Sequence, residues 1–185
     1  MEISFVQATA ELPILRQFID FLSSQAGVYM NCLTSFKGNR VRIELQAARV
    51  LRRSPAKGRD GVVMWTSLED PSQPDIIHQR IIRTPDYVKA NANDGFNEQQ
   101  ICWSLIVFIF AFWDEEVRPR IARNRNVQPS DIKIDVFGDL RLLRNAIVHN
   151  AGTLKQTDFD RLKILQSYCA ADQKLTLTHR QMRSL

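Results

Sequence analysis

Arg141, Arg144, Asn145 and His149 crowd into one helix-forming stretch, Gly138 to Gly152. Arg141, Asn145 and His149 follow one another at four-residue steps, so a helix lines them along one ridge, which Arg144 borders. An imidazole exchanges protons near neutral pH. A guanidinium is a planar, permanently charged fork matched to phosphate oxygens. Side by side, these groups suit acid–base chemistry at a phosphodiester. Leu140, Leu143, Ile147 and the flanking Val136 form the apolar stripe that seats such a helix, and Gly152 is placed to stop it.

The run Arg144-Asn145-Ala146-Ile147-Val148-His149 resembles the R-x4-H motif of the HEPN superfamily, in which a polar residue often follows the arginine. The resemblance covers about the C-terminal half of the chain. HEPN domains are small all-α domains, and many are metal-independent ribonucleases. The resemblance therefore implies an all-α antiparallel bundle of four or more helices. It implies RNA as substrate, cut to 2′,3′-cyclic phosphate and 5′-hydroxyl ends. His149 would act as general acid or base, Arg144 would bind the scissile phosphate and Asn145 would orient one or the other. Arg141, Arg118 and Arg120 are candidate RNA contacts. Glu115 and Glu116, on the preceding helix, are candidates for a supporting acid. One motif helix carries a single histidine, so a homodimer with the site on its two-fold axis would supply both acid and base. Such domains often serve as toxins or phage-defence effectors, with a cognate antitoxin or regulator as partner. The competing reading is a non-catalytic module that binds RNA, a nucleotide or another protein.

Composition narrows the class. The 185 residues suffice for one domain with a sizeable core. The net charge is +5, with 18 Arg against 7 Lys, which leans toward an anionic partner. Cys32, Cys102 and Cys169 are too widely spaced for a zinc site or disulfide framework, so a reducing cytoplasm is the expected compartment. No His, Cys and carboxylate set suggests a metal, and the expected chemistry needs no cofactor. The start of the chain lacks a secretory pattern. The longest apolar run, Ile101 to Trp113, is too short to span a bilayer.

The positioning elements follow from periodicity. A long helix is expected from Ala8 to Phe36, ended by Lys37-Gly38-Asn39. Residues 38–95 read as an insertion. Within them Arg40–Arg53 is ambiguous between helix and strand, Val62–Thr66 has strand propensity and a small hairpin is expected around residues 40–70. Asp75–Ile82 reads as a short helix holding His78, and Thr84-Pro85 starts another. Asn97 begins a helix that is apolar nearly all round through Trp113, an independent reason to expect association. Pro119 restarts it. The motif helix is expected from Pro129 to Asn150, and a last helix from Thr157 through Tyr168 closes the bundle. Residues 172–185 read as a polar tail with a short extended piece at Leu175–Leu177.

Overall fold

The computed structural model describes residues 5–55, 63–69 and 77–184, with side chains for 9–55 and 82–184. The fold is all-α in class. Helices α1 (Phe5–Arg53), α2 (Thr84–Ala90), α3 (Phe96–Phe112), α4 (Arg118–Arg125), α5 (Asp135–His149), α6 (Gln156–Phe159) and α7 (His179–Met182) are joined by two small antiparallel pairs. These pairs are β1 (Val63–Glu69) with β2 (Ile77–Arg83), and β3 (Thr153–Leu154) with β4 (Gln173–Lys174). The chain forms two compact units, Met1–Met30 with Gln99–Leu185, and Asn31–Glu98. Among the described residues no helix is long and apolar enough to cross a membrane.

In the unit formed by Asn31–Glu98, α1 continues through Lys37-Gly38-Asn39 to Arg53 instead of stopping at Phe36. A lone glycine costs a helix only about 1 kcal/mol. The helix formers after it outweigh that cost, and Arg42 Nη2 donates to Asn39 Oδ1 at 3.1 Å, one turn back. The hairpin expected around residues 40–70 does not form, because Arg40–Arg53 is helical; Val63–Glu69 pairs instead with Ile77–Arg83, the stretch expected to be helical. Ile77, Ile81 and Ile82 are β-branched and favour the pleated strand. His78 stands opposite Leu68 in the register. The expected loops over 56–61 and 70–74 lie outside the described residues.

The other unit builds its core from Ile14 and Phe18 of α1, Trp113 and Val117 after α3, and Ile121 of α4. Phe137 of α5 stacks on Trp113 with ring centroids 3.9 Å apart, and Phe18 closes the cluster 5.8 Å from Phe137. Residues Trp113–Val117 form one wide π turn, in which the Arg118 N–H reaches back to the Trp113 carbonyl. Pro119, just beyond it, has no N–H for an ordinary helical bond, so the turn widens where a bond would be missing. The motif helix is shorter than expected. Pro129–Asp131 is a separate 3-10 turn, and α5 begins at Asp135 after an extended Ile134.

Two expectations at the C-terminal end are corrected. The helix expected from Thr157 through Tyr168 is the single turn α6, and α7 follows it in the chain. Beyond α6 the backbone N–H groups of Lys163, Ile164 and Leu165 turn onto the Asp139 carboxylate, and so are withdrawn from helical pairing. The polar tail is docked. Leu175 and Leu177 alternate inward and are buried. The Gln99 amide brackets Leu177, donating to its carbonyl and accepting its N–H, both at 2.8 Å.

Candidate active site

The last two turns of α5 carry the motif. Its apolar side is sunk in the core through Leu140, Leu142, Leu143 and Ala146. The opposite side presents Arg144 and Asn145 half-buried and His149 exposed. Arg144 Nη1 donates to Asn145 Oδ1 at 3.1 Å and lies 3.2 Å from His149 Nε2. An arginine nitrogen only donates, so this contact is a hydrogen bond in the tautomer whose ring proton is on Nδ1. Both Nη1 hydrogens are thereby engaged and the guanidinium is oriented. Among the described residues its Nε and Nη2 groups have no partner. Nε and Nη2 together have the geometry of a two-pronged donor for an anion.

The end of α5 is fixed from behind. Gly152 N–H bonds back to the Ala146 carbonyl at 2.9 Å, and the Gly152 carbonyl accepts from Leu175 N–H at 2.8 Å. Ala151 and Gly152 both adopt left-handed backbone, with φ of 50° and 85°. A Cβ on Gly152 would overlap the Trp103 ring, so glycine is needed for both reasons. Trp103 is itself held by its indole N–H on the Leu175 carbonyl at 3.1 Å, with Lys174 above the ring. His149 thus projects from a turn clamped between α3 and the β3–β4 pair.

At the other end of α5, Asp139 does what no periodicity announces. It is 2 % exposed, and its oxygens accept the consecutive amides of Lys163, Ile164 and Leu165 at 2.7–3.0 Å. This carboxylate pins the chain after α6 to the motif helix. Burial, together with the Asp139 charge, pushes the Cys169 thiol up to about 11, which leaves it unreactive. An aspartate inside an otherwise apolar helical stripe was the one available signal for this role.

The remaining candidates divide. Arg118 pairs with Asp114, Nη2 to Oδ1 at 2.6 Å, without an aligned hydrogen bond at that oxygen. Arg120 Nη1 donates to Gln17 of α1 at 2.5 Å and serves packing. Glu115 and Glu116 are exposed, and neither forms an ion pair with Arg144 among the described residues. Arg141 is exposed on the ridge of Asn145 and His149 and lines a cleft of about 760 Å³ along the first turns of α5. Among the described residues no group of His, Cys, Asp or Glu side chains is placed to hold a metal ion. The chain matches no protein-family model, no curated protein and no solved structure.

Proposed function

We propose that this protein is a HEPN-type, metal-independent endoribonuclease acting as a homodimer. The observation that carries the reading is the Arg144 guanidinium, oriented by Asn145 and His149 through one nitrogen and open at the others. A phosphodiester takes the Nε and Nη2 donors, and the ribose 2′-hydroxyl replaces Arg144 Nη1 at His149 Nε2. His149 accepts the hydroxyl proton while the 2′-oxygen bonds to phosphorus. The 5′-oxygen leaves and takes a proton from the protonated His149 of a second copy. The products are a 2′,3′-cyclic phosphate and a 5′-hydroxyl. Arg144 neutralises the charge that grows on the phosphorane oxygens.

Each chain offers one such histidine, so the mechanism calls for two chains. Phe108 on α3 and Val148 beside His149 are 58 % and 48 % exposed, the kind of apolar surface a second copy would cover. A role as a toxin or phage-defence effector, with an antitoxin or regulator as partner, belongs to the same proposal. The test is cleavage of total cellular RNA with excess EDTA, beside His149→Ala and Arg144→Ala. Loss of the acid–base group lowers the rate by roughly 10²–10⁴. Silence from the folded wild type across several RNA pools would leave only the binding-module reading.

A further inference from the structure

The cleft along the first turns of α5 combines an apolar wall with a charged rim. Its apolar wall comes from Phe110, Trp113 and Phe137; Arg118, Lys133, Arg141, Arg161 and Lys163 outnumber the carboxylates Asp135 and Asp160 on its lining. Arg118 Nε is buried and has no hydrogen-bond partner. Lys133 and Arg141 form no ion pair among the described residues. Lys163, also on the rim, is neutralised by Asp135 at 2.7 Å.

Gly138 lines the same cleft. Within α5 a glycine costs about 1 kcal/mol relative to alanine. Nothing lies within 4 Å of where its Cβ would stand, so packing does not require the glycine. What its missing side chain leaves open is the cleft. Gly138, Arg141, Asn145 and His149 also descend one ridge of α5, with Arg141 about 12 Å from His149 along the axis. A strand whose phosphate sits on Arg144 would pass the cleft mouth.

We infer that this cleft is a nucleotide subsite, which holds the RNA nucleotide flanking the one cleaved. Its phosphate meets Lys133 and Arg141, beside the Arg118–Asp114 pair, and its base lies against the apolar wall. The inference rests on the ribonuclease reading for its choice of ligand, but binding alone tests it.

The experiment uses the full chain carrying His149→Ala and a 2′-O-methyl oligoribonucleotide, which cannot be cut, followed by fluorescence anisotropy. Gly138→Leu fills the cleft without changing charge, and its melting temperature is expected to hold or rise. It should weaken binding at least tenfold. Lys133→Gln should also weaken binding and flatten the salt dependence by roughly 0.7 in the log–log slope, the share of one phosphate contact on a single strand. The nucleoside monophosphates AMP and UMP should compete with the oligonucleotide in the parent. Equal binding by parent and both variants would overturn the subsite. So would monophosphate binding with no strand binding, which would mark a site for free nucleotide. Oligonucleotide binding lost in Gly138→Leu, in a protein whose wild type cuts no RNA, would keep the subsite and sink the ribonuclease reading. Cleavage by wild type with unaltered Gly138→Leu binding would do the reverse.

Discussion

Arg144 Nη1 lies 3.2 Å from His149 Nε2, one turn and a half of helix apart in sequence and touching in space. The five-residue spacing alone does not bring two side chains together on a helix. The contact forms because the long arginine side chain reaches along the axis to the last turn, with Asn145 fixing its Nη1 from the side. The geometry leaves the Nε and Nη2 groups of the guanidinium open to an anion among the described residues.

Asp139 holds the chain after α6 through backbone amides alone. Asp139→Asn offers an amide NH₂ to groups that only donate, and it should cost about 2–3 kcal/mol of stability. Urea denaturation measures this directly. An unchanged midpoint would mean that the turn at residues 163–165 holds itself.

Gly152 and Gly138 should respond to alanine with opposite signs. Gly152→Ala drives a methyl group into Trp103 and strains a residue at φ 85°, at about 2 kcal/mol or more. Because the same turn carries His149, activity should fall with it. Gly138→Ala enters open space inside a helix and should gain up to about 1 kcal/mol. Thermal unfolding of the two variants side by side checks both signs.

Glu11 is buried against Arg125, with both carboxylate oxygens accepting at 2.7 Å. The hydrogen bonds from Arg125 hold its pKa below the ordinary 4.5. The unfolded chain therefore takes up a proton at higher pH than the folded one. The pair's stabilisation is complete above the unfolded value and drains away as pH falls through the lowered folded value. Urea midpoints measured from pH 7 to pH 3 should fall more steeply for wild type than for Glu11→Gln. At pH 7 that substitution should cost about 2 kcal/mol, less than a fully buried pair because Arg125 stays 28 % exposed.

Phe108→Glu tests association. The residue is 58 % exposed, so the isolated chain should tolerate the change within about 0.5 kcal/mol. Sedimentation should then find a monomer where wild type sediments as a dimer, and RNA cleavage should drop at least tenfold. A wild type that sediments as a monomer and still cuts RNA would rule out a shared site.

Apolar periodicity located the body of α5, because a helix seated on a core must repeat its apolar residues near every third or fourth position, while α3 was marked by an unbroken apolar run too long for a strand. The grouping of Arg144, Asn145 and His149 was equally readable, since they are close in sequence and on one helix. Other features are settled by contacts at long sequence separation, which local pattern does not record. The chain after α6 turns because of Asp139, over twenty residues earlier, and Leu175 and Leu177 are drawn in by Gln99 and Trp103 on α3. Gly38 and the strand at Ile77–Arg83 failed as local signals for a different reason. The cost of one glycine is small, and a short β-branched run takes the conformation its partner strand imposes.

The most direct measurement is the chemistry of the RNA ends left in EDTA by purified wild type and by His149→Ala, read by mass spectrometry. The account predicts 2′,3′-cyclic phosphate and 5′-hydroxyl ends from wild type and intact RNA from the variant. Ends bearing 5′-phosphate, or equal cleavage by both proteins, would contradict it.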